Sequence, residues 1–222
     1  MVEVLNCVRK LGPNVEFRCP EFRAEAGQQM ALCGPSGCGK STLLNLISGL
    51  LRPDSGVIRI DGVETQDMSE DDLDRFRGER IGFVFQTFNL LQPFTALQNV
   101  LLGMRFSDTR PASEWKPRAM ELLERVGLSH RFRSKPATLS VGEQQRVAIA
   151  RALANKQKLI LADEPTGSLD PKTAAEVMDL LLKLCSEEKV TLLLVTHDAE
   201  IAGRLPSRFD CSELVRDLNR EL

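Results

Sequence analysis

Asp163 and Glu164 stand side by side at the end of an apolar run that begins at Leu159. Two adjacent carboxylates repel each other and gain from a cation placed against them. Far upstream, Gly34 to Thr42 reads GPSGCGKST, which fits the G-x-x-x-x-G-K-[ST] phosphate loop. In such a loop glycine N–H groups cradle an anion, the lysine reaches the β- and γ-phosphates and the following hydroxyl holds Mg²⁺. The candidate set is therefore Gly34, Ser36, Gly37, Cys38, Gly39, Lys40, Ser41 and Thr42, with Lys40 on phosphate and Ser41 on the metal. A second phosphate-seeking helix start lies in LSVGEQQR, Leu139 to Arg146, where Ser140 and Gly142 stand at the mouth of a helix. Ser140 and Glu143 also spell the capping box S-x-x-E, which by itself explains both residues.

Groups this far apart in sequence need a scaffold. Gln29 to Cys33 reads as the strand that feeds the loop, and Lys40 to Leu50 as the helix behind it. Val2, Val4, Val15 and Phe17 alternate with polar residues ahead of a turn at Gly27, so the chain opens on strands. Asp54-Ser55-Gly56 turns into a strand over Val57 to Asp61, Ser69 and Asp72 open an acidic helix, and Ile81 to Phe85 forms another strand. From Leu90 to Ala154 the pattern is helical, punctuated by Pro93, Pro111, Pro117 and Pro136. Leu159 to Asp163 and Thr191 to Thr196 are continuous apolar strands, as in a sheet covered on both faces. Between them Pro171 to Glu187 is a helix whose stripe is Ala175, Val177, Met178, Leu181, Leu182 and Leu184, with Asp170 as its N-cap. The end, Cys211 to Leu222, reads as a helix from the spacing of Leu214, Leu218 and Leu222.

Composition narrows the functions. With 42% hydrophobic residues among 222, the chain can bury a core. Its 29 basic and 31 acidic residues leave a net charge of -2 and give no electrostatic case for nucleic acid. No apolar run approaches the roughly 20 residues needed to span a bilayer, and MVEVLNCVRKL lacks a signal-peptide apolar region. A cytoplasmic protein is expected. The six cysteines form no C-x-x-C pair and cluster with neither histidine, so they read as small structural thiols.

Taken together, the phosphate loop, IGFVFQ (Ile81 to Gln86), LSVGEQQR, ADEPTGSLD (Ala162 to Asp170) and VTHD (Val195 to Asp198) resemble, in order, the ATP-binding subunit of ABC transporters. GLLRPDSG, FNLLQPFTALQNV and QQRVAIARAL resemble the subgroup serving lipoprotein-releasing, macrolide-efflux and cell-division permeases. The resemblance implies an α/β fold, a P-loop NTPase core with an inserted helical subdomain, divided as 1–89, 90–155 and 156–222. It implies ATP and Mg²⁺ as cofactors, with Asp163, Ser41 and Gln86 at the metal, Glu164 as general base, His197 at the γ-phosphate and Gln86 sensing metal and water. Ser140 and Gly142 would serve ATP held by another subunit, and Asp170 would lie at the seam of an ATP-bound homodimer. The implied partner is a transmembrane permease, through which alone the chain would sit on the inner face of the cell membrane. A regulatory ATPase that signals through a membrane protein is the alternative, whereas a DNA-repair or translation ATPase lacks its coiled coil or second cassette here.

The chain departs from the family in places. Val141 stands where glycine is usual and Glu143 where glutamine is frequent, and a carboxylate beside a γ-phosphate would be repelled. No tyrosine exists anywhere, and Leu11 replaces the aromatic ring that stacks on adenine, leaving Phe17 as the nearest aromatic by sequence. Phe88, Leu90, Leu91 and Phe94 follow Gln86 and are the expected docking surface for a permease helix.

Overall fold

Alternating apolar side chains pull the first strands into a sheet. The computed structural model describes residues 1–107 and 109–217. Its strands are β1 (Val2–Lys10), β2 (Val15–Ala24), β3 (Gln29–Cys33), β4 (Ser55–Ile60), β5 (Val63–Glu64), β6 (Ile81–Phe85), β7 (Leu159–Asp163), β8 (Thr191–Val195), β9 (Ser207–Asp210) and β10 (Val215–Asp217). The helices are α1 (Lys40–Ile47), α2 (Glu70–Arg80), α3 (Ala96–Leu102), α4 (Ala112–Arg125), α5 (Val141–Ala152), α6 (Pro171–Glu187) and α7 (Ala199–Arg204). Among the described residues no helix is long and apolar enough to cross a membrane. The chain divides into two compact units, Met1–Leu73 with Thr191–Leu222, and Asp74–Val190.

In the first unit β1 lies antiparallel between β2 and β4, with Val2, Val4, Phe17, Phe22, Ile58 and Ile60 buried on one face. A glycine is obligatory at position 56, because a Cβ there would come within 2.5 Å of the Asn6 carbonyl oxygen and the Cys7 Cα. β3 runs parallel between β8 and β9, Ala31 facing Leu194 and Arg208. All five residues of β8 are buried, which explains its unbroken apolar run. Helix α1 has only eight residues, too few to persist alone. Burial of Leu43, Leu46 and Ile47, worth about 1.5 to 3 kcal/mol each, holds it in place. It stops at Ile47, short of the expected Leu50, where Gly49 turns left-handed at φ 71°.

One expected element is wrong. Residues Val215–Asp217 form strand β10, antiparallel to β2 with Val215 opposite Phe17. Leu214 is buried ahead of that strand and anchors it, so residues 214–217 do not begin a helix. Leu218 and Leu222 lie outside the described residues.

In the second unit β6 and β7 are parallel, and α3, α4, α5 and α6 supply the helical bulk. Gly82 is packed so closely that a Cβ would come within 2.1 Å of the Ala152 carbonyl oxygen, which seats the end of α5 on β6. The α6 stripe is Val177, Met178, Leu181, Leu184 and Cys185, while Ala175 and Leu182 are only half-buried. Arg118 and Arg125 of α4 reach Glu188 just beyond α6, Arg118 at 2.9 Å.

Candidate nucleotide site

The phosphate loop leaves β3 through left-handed glycines, Gly34 (φ 138°), Gly37 (φ 78°) and Gly39 (φ 103°). A side chain at Gly34 would meet Cys38 Sγ at 2.7 Å, so the loop folds tightly on itself. Gly39 is the N-cap of α1 and offers no side chain, which leaves the amides of the first turn without a capping oxygen. Lys40 is buried, and its ammonium donates to the carbonyls of Gly34 and Pro35, each at 2.8 Å. Ser41 is exposed on the same first turn, Thr42 is half-buried and Ser36 is exposed in the loop. Cys38 is buried with Sγ 3.8 Å from the Lys40 ammonium.

The register of the strands places His197. Leu32 of β3 pairs with Val195 of β8, so Gly34 and His197 leave neighbouring parallel strands at the same level. His197 is exposed there. Its link is fixed on both sides, since the Asp198 N–H donates to Thr196 Oγ1 at 3.1 Å and Asp198 caps α7.

The base side differs from expectation. Phe17 is 0% exposed and lies under Gly39, so it cannot stack on adenine; Leu11 is 43% exposed in the β1–β2 turn. An aliphatic side chain can cover a base but does not stack on it as a ring would.

In the second unit Phe85 of β6 pairs with Asp163 of β7, so Gln86 leaves its strand level with Glu164. Glu164 is held at φ 45°, an unusual conformation for a glutamate. Such a twist aims the side chain differently from the strand that precedes it, and residues of this kind cluster at working sites. A turn follows, closed by the Gly167 N–H on the Glu164 carbonyl at 3.1 Å. Gly167 packs on the Gln86 amide, where a Cβ would come within 2.9 Å of Nε2.

Sequence reasoning missed Gln145. It is fully buried on α5, and its Nε2 donates to the carbonyls of Pro165 and Phe85, the latter at 3.4 Å. It thereby ties α5 to the ends of both site strands. The only signal was a glutamine where the α5 pattern is otherwise apolar.

The start of α5 is a completed capping box. Ser140 Oγ accepts from the Glu143 N–H at 3.2 Å, and Glu143 accepts from the Ser140 N–H at 2.8 Å. Arg131 donates to the other Glu143 oxygen at 3.0 Å. The Ser140 N–H, against a smaller upward push from burial and with help from Arg131, holds the Glu143 carboxyl below the usual carboxylate range. Gly142 is buried, and a Cβ there would come within 2.6 Å of Thr173 Cγ2 on α6. Asp170 caps α6 by accepting from the Thr173 N–H at 3.1 Å, and the Thr173 hydroxyl, with that N–H second, lowers its pKa.

Residues 18–167 match the family described as ABC transporter. The chain belongs to that family. It is 48% identical to the uncharacterized ABC transporter ATP-binding protein MJ0796 of Methanocaldococcus jannaschii over 91% of this chain and 89% of that protein. It is likewise 48% identical to the lipoprotein-releasing system ATP-binding protein LolD of Pseudomonas fluorescens over 83% of this chain and 81% of that one. Among solved structures it resembles the dimeric post-hydrolysis state of the MJ0796 cassette bound to ADP and Pi, with TM-score 0.83 and 40% identity over 98% of this chain and 99% of that one. It also resembles cbiO1 of Clostridium perfringens, part of the cbiONQ transporter complex, with TM-score 0.85 and 29% identity over 99% and 89%. The α/β fold is that of an ABC ATPase, and the chain is the ATP-hydrolysing nucleotide-binding subunit of an ABC transporter. Subunits of this kind work with transmembrane permeases and form dimers.

Proposed function

We propose that the chain works as an ATP-bound homodimer on the cytoplasmic side of the membrane, powering a permease of the lipoprotein-releasing type and held there by that permease alone. The observation that carries the chemistry is the register of β6 and β7, which brings Gln86 level with Glu164 just beyond Asp163. Lys40 and the α1 amides hold the β- and γ-phosphates. Glu164 accepts a proton from water as its oxygen attacks the γ-phosphorus; the bond to the β–γ bridging oxygen breaks, and ADP and phosphate result. His197 and Gln86 orient that water, and Gln145 keeps the strand ends in place. Ser140 and Gly142 of one subunit serve ATP on the other, with Asp170 at the seam.

The donor set fits Mg²⁺. Ser41, Gln86 and Asp163 offer hard oxygens, while no group of three or more His, Cys, Asp or Glu among the described residues could cage a metal. When bound it neutralises charge on the β- and γ-oxygens.

Docking falls to the segment after Gln86. Leu91 and Phe94 are exposed and Phe88 is half-buried, whereas Leu90 is buried and belongs to the core. Beside them Phe83, Phe85, Phe106 and Arg151 line an aromatic groove of about 290 Å³. The lipoprotein-releasing relatives favour transport over a purely regulatory role.

The test is Glu164→Gln. It should bind ATP normally, lose turnover by at least about 10²-fold and accumulate as an ATP-bound dimer by size exclusion. Near-normal hydrolysis would remove Glu164 from the role. For docking, the double substitution Leu91→Glu with Phe94→Glu should abolish permease capture and leave basal hydrolysis unchanged; retained capture would send the permease elsewhere.

A further inference from the structure

A second cavity lies at the opposite end of β7 from the acidic pair. Its volume is about 330 Å³, and it is built from the end of α5, the lead into β7, the turn after α6 and Arg110 before α4. From Lys158 to Asp163 the chain covers about 16 Å at the rise of a strand, so this cavity is separate from the catalytic end. Three features of its lining point to a ligand.

The first is charge. Arg110, Lys156, Lys158 and Lys189 face a single acid, Glu188. That acid is already taken: burial pushes its carboxyl up, but hydrogen bonds and charge from Arg125 and Arg118 more than offset this and hold it low. The three lysines make no ion pair with any described residue. The second is a set of buried amides. Asn155 is 3% exposed and Gln157 7% exposed, yet Asn155 Oδ1 and Gln157 Oε1 receive no hydrogen bond. The Asn155 orientation is fixed, because its Nδ2 donates to the carbonyls of Gly78 at 3.0 Å and Gly103 at 2.8 Å. The third is Arg110 Nε, also buried without a partner, although its Nη1 lies 3.6 Å from Glu114.

Unpaired cations ask for an anion, and orphaned amide oxygens ask for hydroxyl or N–H donors. We propose that this cavity binds a small phosphorylated hydroxyl compound, the phosphate against the lysines and Arg110, the hydroxyls on Asn155 and Gln157. The volume sits at the low end for small-molecule sites and suits a pentose phosphate better than a whole nucleotide. Gln157 is also a wall of the aromatic groove.

The test uses the full-length chain saturated with ADP and Mg²⁺, so that the phosphate loop is already filled. Ribose 5-phosphate, inorganic phosphate and ribose are titrated by calorimetry to about 10 mM, where a millimolar site would be mostly occupied. Ribose 5-phosphate should bind with one site per chain, inorganic phosphate at least about tenfold more weakly, and ribose not at all. Replacing exposed Lys156, Lys158 and Lys189 together with alanine should weaken ribose 5-phosphate at least about tenfold and leave ADP affinity intact. Gln157→Leu should bring ribose 5-phosphate down to the level of inorganic phosphate. No saturable binding, or binding untouched by the lysine substitutions, overturns the site. Equal affinity for both phosphates, or a Gln157→Leu variant that still separates them, overturns the hydroxyl assignment.

Discussion

Helices α1 and α5 both begin at a phosphate-seeking motif, but they treat their first-turn N–H groups in opposite ways. At α1 the cap is Gly39, with no side-chain oxygen on the amides. At α5 the cap is Ser140, locked to Glu143 in both directions and backed by Arg131. Glycine at a cap costs only a few tenths of a kcal/mol relative to serine, far less than the burial of Leu43, Leu46 and Ile47 returns. An open helix start is therefore cheap wherever the helix body is well packed. The closed start of α5 still has something to give. A hydroxyl has two acceptor lone pairs and one proton, and capping uses only a lone pair, so Ser140 can donate to a phosphate without surrendering its cap. Glu143 keeps its charge there, held between the Ser140 N–H and Arg131.

The strongest way to break this comparison is at α1. Lys40→Met removes the cation from an end that has no other charge of its own, and hydrolysis should fall by at least about 10²-fold, as for loss of a main electrostatic donor. The fold should persist, because the lysine contributes its bonds to the Gly34 and Pro35 carbonyls and a long one to Cys38 Sγ, all within the loop itself. Turnover within a few-fold of the parent would mean that the open α1 amides alone hold the phosphates.

At α5 two substitutions separate capping from catalysis. Ser140→Ala loses the cap and should cost about 1 kcal/mol, or about 2 to 4 °C in melting temperature. Ser140→Asp keeps a capping oxygen but presents a carboxylate where phosphate is expected. Its melting temperature should match the parent, while ATP-driven dimerisation weakens about tenfold or more. Should the aspartate variant dimerise normally, α5 is a capped helix and no more.

Much of this contrast was legible beforehand, because both helix starts are written in local residue types. The phosphate loop announces itself through glycine spacing, and S-x-x-E announces the box; both depend on neighbours within a few residues. The parallel strands around the loop were equally plain from their unbroken apolar runs. What escaped was set by tertiary partners. The twist at Glu164 (φ 45°) has no sequence signature, and Gln145 gains its meaning only when Phe85 and Pro165 are brought beneath it. Phe17 looked like a base-stacking candidate until the packing of β2 against Gly39 and Val215 buried it. The same packing makes Val215–Asp217 strand β10 where a helix was expected, since a strand of three residues carries too little periodicity to be read from sequence.

The smallest expected effect tests whether charge closes α5. Glu143→Gln keeps a capping-box side chain and deletes only the carboxylate charge, so the difference between it and the parent isolates what that charge adds, first on the Ser140 N–H and then on Arg131. The folded carboxyl is held below the value of about 4.3 that it has unfolded. The parent's advantage should therefore be fully present above that value and vanish as pH falls through the lower, folded one. Other lowered carboxyls, such as Asp170 and Glu188, titrate in the same range in both proteins and cancel in the difference. Urea unfolding of the two proteins should thus show a small, constant gap from pH 7 to about 5 that closes on further acidification. The pair is exposed enough that the gap should also shrink in salt. A gap that ignores both pH and salt would mean that Glu143 closes α5 by shape alone, leaving the two helix starts distinguished by Ser140 and Gly39 and by no charge at all.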